Sequence, residues 1–170
     1  MIGKQMRAIV DIETDSLNAT KVHCIVAKDV DSGKVYPFPP DMIHGFRDWS
    51  LGVKQFIMHN GLSFDAPVCN RLLGTTIKPS QIIDTLILSQ LFNPMRENGH
   101  SLSAWGDKLA FPKMEFEDYS IYTEEMLEYC KNDVELTELV YNKLSQEGSK
   151  FSKYSIDMEH KVRAIIDQQE

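Results

Sequence analysis

The sequence predicts an α/β fold, and three observations carry that prediction. Three β-branched runs, residues 7–14, 21–28 and 34–38, are separated by turn residues alone, as in an antiparallel meander. A further short apolar run at 55–59 passes through Asn60-Gly61 into a helical pattern at 64–73. Helical periodicity then dominates the second half of the chain. At 170 residues, with 42% hydrophobic and 25% charged, the composition suits one globular unit with a proper core.

The first run is the organising one. Ile9, Val10 and Ile12 suit a strand covered by other elements, while Asp11 and Glu13 stand two apart within it. Side chains alternate across a strand, so both carboxylates face the same way. Like charges ~4 Å apart repel by about 4 kcal/mol at an effective dielectric of ~20, so a fold that sets them together favours a cation there. Magnesium and manganese, hard divalent ions, take oxygen ligands of this kind. The alternative is the solvated end of an ordinary strand. A calcium loop fits poorly, because no Gly follows Asp15 to make the sharp turn and its twelfth position is Val22.

Thr14-Asp15-Ser16-Leu17-Asn18 reads as a turn, and so does Asp31-Ser32-Gly33. Pro37, Pro39 and Pro40 end the meander, since proline cannot donate to a ladder. Residues 41–49 offer a helical face in Ile43, Phe46 and Trp49. Asp65 stands in the first turn of the 64–73 helix, at the kind of strand-to-helix junction where α/β proteins place their sites. Residues 82–88 read as a helix entry, with Asp84 as N-cap and Ile83 packing on Leu88. Residues 93–99 form a loop, and Ser101 caps a short helix lined by Leu102, Trp105 and Leu109, with Trp105 in the core. Residues 110–121 are polar and irregular, a surface loop of a length often functional. Thr123 caps a long helix to about Leu144, with Tyr122 stapled on Leu127 and a buried stripe of Leu127, Cys130, Val134, Thr137 and Tyr141. A linker at 146–150 precedes a last helical pattern carrying Met158, Val162, Ile165 and Ile166.

A formal net charge of −7, from 18 basic and 25 acidic residues, argues against a protein that coats nucleic acid with a broad basic surface. If nucleic acid is handled, metal ions carry much of the attraction. Cys24, Cys69 and Cys130 are too widely spaced for a zinc pattern or a disulfide framework and read as core. No apolar run of membrane-spanning length and no secretory leader is present, so a soluble, cytoplasmic protein is expected.

Tyr129 and Asp133, four apart on the long helix, point to one side together. With Asp11 and Glu13 at a strand end and Asp65 at a helix start, three elements offer acid. Asp-Ile-Glu-Thr at 11–14, Asn-Gly-x-x-Phe-Asp at 60–65 and Tyr-x-x-x-Asp at 129–133, in that order, resemble the three motifs of the DEDDy (DnaQ-like) 3′→5′ exonucleases. His59-Asn60-Gly61, Ile83-Asp84-Thr85-Leu86 and the run from His100 to Gly106 are similar, more narrowly, to the proofreading domain of phage-type family A DNA polymerases.

The resemblance implies a ribonuclease H-like mixed sheet, three antiparallel strands and then parallel strands, flanked by helices. It implies that Asp11, Glu13, Asp65 and Asp133 hold two divalent metal ions, Mg2+ or Mn2+, and that Tyr129 positions the attacking water. Thr14, Leu17, Asn60 and Phe64 are the implied contacts to a single-stranded DNA 3′ end, although Phe64 stands where many relatives carry Tyr. Residues 1–146 correspond to the exonuclease domain, and 147–170 to a linker and the start of a polymerase region. A monomer without membrane association is expected.

A two-metal site lowers the pKa of a bound water and stabilises the departing 3′ oxygen. Tyr129, with an ordinary pKa of ~10, acts there as a hydrogen-bonding orienter and not as a base. Arg96, Lys108, Lys113 and Lys131 are the cations placed to meet phosphates, with plain surface charge as the alternative. Two rival readings remain: a DEDD exoribonuclease, because the metal site is indifferent to the sugar, and a non-catalytic ribonuclease H-like interaction module.

Overall fold

The computed structural model describes residues 5–169. Five strands form one sheet in the order β3-β2-β1-β4-β5: β1 Met6–Thr14, β2 Val22–Asp29, β3 Val35–Phe38, β4 Val53–Met58 and β5 Ile82–Asp84. The first three pair antiparallel, with Ile12 opposite Ile25 and Val26 opposite Pro37, while β1–β4 and β4–β5 are parallel. This is the mixed sheet expected. The helices are α1 Gly45–Ser50, α2 Asp65–Leu73, α3 Thr85–Phe92, α4 Leu102–Lys108, α5 Glu124–Glu147 and α6 Lys153–Gln169.

Alternation along β1 divides the core. Ala8, Val10 and Ile12 join Phe46, Phe56, Val68 and Cys69 on one face, and Ile9 joins Cys24, Val26, Met126, Cys130 and Val134 beneath α5 on the other. The parity that buries Ile9 under α5 therefore turns Asp11 and Glu13 to the same side. The β1–β2 register slips between Glu13 and Thr14, a bulge of the kind that re-aims side chains beside active sites.

Several elements depart from the sequence expectation. Residues 82–84 are a strand, not a helix entry. Three residues are too few for a period to register, and the cap signal of Asp84 abuts them directly. Pro37 lies within β3 and does not end it, which an edge strand allows because the missing N–H has no ladder partner to serve. The helix expected at 41–49 is confined to α1, after a turn that buries Ile43. The long helix runs on to Glu147, and Gly148–Lys150 form a 3-10 turn where a linker was expected; a Cβ at Gly148 would lie 2.5 Å from the Phe92 ring. The caps at Ser101 and Thr123 accept from Ala104 N and Met126 N at 3.0 and 3.2 Å. Trp105 is buried, its Nε1 donating to Ser89 Oγ at 3.1 Å.

Asp84 does more than cap α3. Its buried carboxylate accepts from Leu86 N at 2.9 Å, Asn60 N at 2.9 Å and Leu62 N at 3.1 Å. It thus fastens the Asn60-Gly61 turn, where Asn60 has φ 62° and a Cβ on Gly61 would lie 2.2 Å from Met58 Cβ. His160 of α6 accepts from Asp84 N at 3.0 Å, and Ser63 Oγ donates to Asp167 at 2.5 Å, so α6 braces the same turn. Asp84→Ala leaves three N–H groups without their charged acceptor and is expected to lower stability by about 3 kcal/mol or more, read as a shifted urea midpoint with an unchanged slope.

Candidate active site

The site lies at the carboxyl ends of β1, β4 and β5, the edge where open α/β sheets bind ligands. Asp11 and Glu13 come from the end of β1, Asp65 from the first residue of α2, and Tyr129 and Asp133 from one face of α5. All of these except Asp11 are buried, and Asp11 is half-buried. Ligand atoms of Asp11, Glu13 and Cys130 lie within 4.8 Å of one another. The Cys130 thiol donates to Asp11, its sulfur 3.3 Å from both the backbone O and Oδ2. Oδ2 of Asp65 and Oδ1 of Asp133 are buried and accept no hydrogen bond among the described residues.

Electrostatics report the same convergence. Burial raises the Asp11 carboxyl to about 7, with the charge of Asp133 adding to the effect. Glu13 rises mainly by burial and then by the charges of Asp11 and Asp133, and Asp65 rises by burial and then by Asp11 and Asp84. Asp133 is raised by burial, with Lys113 pulling it back. Carboxylates from three elements thus feel one another through little water. Hard oxygens in excess of their protein partners are the donor set a divalent cation takes, so the residues present fit Mg2+ or Mn2+. Tyr129 is pushed up to about 12, chiefly by burial, which keeps its hydroxyl protonated at neutral pH.

Beside the acids, a cleft of about 340 Å3 is lined by Glu13, Thr14, Leu17, Phe64 and Tyr119, among others. Asp15 holds the rim: its carboxylate accepts from the Thr20 hydroxyl and from the N–H groups of Thr20 and Lys21 at 2.9 and 3.0 Å, bonds that bring its pKa down to about 2. Leu17 stands at the apex of that loop, 93% exposed. Thr14 Oγ1 donates to Ser16 O at 2.8 Å and so also shapes the loop. Asn60 acts through its left-handed backbone and its N–H to Asp84, and it does not line the cleft. A larger polar cleft, about 800 Å3, opens at the opposite end of the sheet around Gly52, Lys54 and Gln81. It has no carboxylate, imidazole or thiol in its walls.

Three contributors have a part in the site that the sequence does not show: Tyr119 arrives from the irregular loop, Cys130 lies in the stripe of α5, and Asp84 reads there as a cap alone. Of the four cations named as phosphate contacts, Arg96 is buried on Glu147 at 2.8 Å and is structural, while Lys131 pairs with Glu128 at 3.0 Å. Lys113 sits in the site itself.

A mixed five-stranded sheet with this edge is the ribonuclease H-like exonuclease fold. NrnC of Brucella melitensis, solved bound to pGG, superposes with a TM-score of 0.72 at 19% identity over 98% of this chain and 86% of that one. RNase D of Escherichia coli, described as an exoribonuclease involved in structured RNA processing, does so with 0.66 at 17% identity over 93% and 45%. The chain belongs to the 3′-5′ exonuclease family whose model matches residues 8–149. It is 24% identical, over 94% of its own length, to the DNA-directed DNA polymerase of Enterobacteria phage T3, and it spans 32% of that polymerase.

The raised carboxyl groups set the pH dependence of the metal-free protein. The folded state keeps protons that the unfolded chain releases near pH ~4, so their contribution is fully present below that pH and is lost as pH rises through about 7 for Asp11. Melting temperature in chelator is therefore expected to fall between pH 5 and 8, and Asp11→Asn to flatten that fall.

Proposed function

We propose that the protein is a metal-dependent 3′→5′ exonuclease that removes nucleotides from single-stranded 3′ ends of DNA. The observation that carries this reading is that carboxyl groups of β1, α2 and α5 gather at one sheet edge and raise one another's pKa, those of Asp65 and Asp133 each keeping a buried oxygen without a partner among the described residues. Membership of the 3′-5′ exonuclease family supports the reaction, and the likeness to a phage DNA polymerase supports DNA as substrate and proofreading as the role. On this reading residues 1–146 are the exonuclease domain, and 147–170 lead through the 3-10 turn and α6 toward a polymerase region. The work is done in the cytoplasm of a host cell.

Asp11, Glu13, Asp65 and Asp133 are the residues that would hold two divalent ions. When bound, such ions lower the pKa of an attacking water and steady the departing 3′ oxygen. Tyr129 is the orienter: its protonated hydroxyl holds that water by a hydrogen bond and does not remove the proton. Leu17, on its exposed loop, and Phe64, on the opposite wall, hold the terminal nucleotide apart from its neighbour, with ring stacking worth roughly 1–3 kcal/mol per base. Thr14 holds that loop in shape, and Asn60 holds the turn that presents Phe64 and Asp65.

A 5′-labelled single-stranded DNA with millimolar magnesium or manganese is expected to shorten in single-nucleotide steps, and chelator to stop the reaction. Asp11→Ala is expected to abolish hydrolysis while raising the melting temperature of the metal-free protein at pH 8, because the repelling charge that Asp11 carries above about pH 7 is gone. Metal is expected to raise the melting temperature of the wild type only. A matched RNA degraded faster than the DNA would assign the site to RNA ends, and an Asp11→Ala protein that still degrades DNA would place the chemistry elsewhere.

A further inference from the structure

Lys113 lies on the irregular stretch between α4 and α5, yet its ammonium is set among the acids. Nζ is 2.7 Å from Asp133 Oδ2, donates to the Tyr129 hydroxyl, and stands 3.9 Å from the centre of the Tyr129 ring. Its side chain is 20% exposed and that of Asp133 6%. This is no ordinary surface pair.

The stretch that carries it is fixed at several points. Gly106 of α4 lets the backbone approach so closely that a Cβ there would lie 2.8 Å from Phe111 O and 3.1 Å from Lys113 N. Met114 N donates to Asn132 Oδ1 of α5 at 3.3 Å. Further along, Phe116 and Tyr119 pack their rings near that of Tyr129, at 5.5 and 6.4 Å, and Tyr119 O meets His23 Nε2 at 2.8 Å. Lys113 is thus delivered to Asp133 by structure on both sides of it.

Resting on the metal-site reading above, we propose that Lys113 is a positioning residue of the exonuclease site. In the absence of divalent metal its ammonium is the resident cation of Asp133, keeping Asp133 and Tyr129 in register, and a metal ion must displace it to use that carboxylate. Lys113 therefore sets the metal concentration at which the site becomes loaded. Oδ1 of Asp133, buried and without a partner among the described residues, remains open for the incoming ion while Oδ2 is still held.

The test is a magnesium titration followed by melting temperature, without nucleic acid, on the full chain. Lys113→Gln is expected to reach half of its metal-induced shift at about fivefold lower magnesium, the scale of one partly buried ion pair. Lys113→Arg, which keeps the charge, is expected to stay at or above the wild-type concentration. Lys143→Met, an exposed lysine farther along α5, removes the same net charge and is expected to leave the half-point unchanged. A Lys113→Gln half-point equal to or above the wild type overturns the proposal, and so does an equal fall in Lys143→Met. If the wild type shows neither a metal-induced shift nor hydrolysis, the metal-site reading itself fails. A wild-type shift that Lys113→Gln leaves unmoved removes only the role of Lys113.

Discussion

Crowding carboxyl groups into a water-poor cleft is the constraint on which the rest of this structure depends. Each of Asp11, Glu13, Asp65 and Asp133 is raised first by loss of water, and Asp11, Glu13 and Asp65 next by another carboxylate. Such a cluster persists only if the surrounding structure over-determines it. The elements around it do so. Strand β1 lies in the middle of the sheet, with residues 6–9 paired to β4 and 8–14 paired to β2, so Asp11 and Glu13 cannot shift without breaking the β2 ladder. Helix α5 lies over β1 and β2 through Ile9, Cys24, Val26, Met126, Cys130 and Val134, which sets the height of Tyr129 and Asp133 above the strand. Lys28 at the end of β2 reaches Glu135 and Glu138, both at 2.9 Å, and pins the same helix from its outer side.

Asp65 is held by a different arrangement. It begins α2 straight after a turn that needs a left-handed Asn60 and a side-chain-free Gly61, and that turn is organised by the buried Asp84. A strand of only three residues, β5, brings that carboxylate beside β4, with Asp84 opposite Met58. Helix α6 then closes the back through His160 and Asp167. Two buried carboxyl groups of different purpose result: Asp84 is satisfied by three backbone N–H groups, whereas Asp65 keeps one oxygen without a partner among the described residues. The contrast between satisfied and unsatisfied carboxylates separates scaffold from site more sharply than burial does.

The parts legible in sequence were those governed by period and by local chemistry. The alternation of β1, the caps at Ser101 and Thr123, the stripe of α5 and the four acids of the motifs are all local patterns; the antiparallel meander followed from such patterns, and the mixed sheet from the resemblance to the exonuclease family. The parts that were not legible depend on distance in space. β5 is too short to show a period, Arg96 looks like any surface cation until Glu147 folds over it, and Lys113, legible as a cation near the site, gives no sign in sequence that its partner is Asp133. Pro37 misled because its effect depends on whether its strand is an edge, a fact about neighbours and not about the residue. Cys130 fell correctly into the buried stripe, but its second role, donating to Asp11, depends on the register between α5 and β1.

A protein of net charge −7 that gathers acids at one edge is poorly suited to attract a polyanion by its own field. On the proposed reading, attraction to the phosphodiester must come from ions held by those acids, while selection of an unpaired end falls to the cleft between Leu17, Phe64 and Tyr119. The two tasks are separated in the structure: the acids lie on strand and helix, and the apex of the cleft lies on a loop tied down by Asp15. Lys113 joins them. The stretch that places its ammonium on Asp133 also supplies Tyr119 to the wall of the cleft, and that one segment is anchored at Gly106, Asn132 and His23.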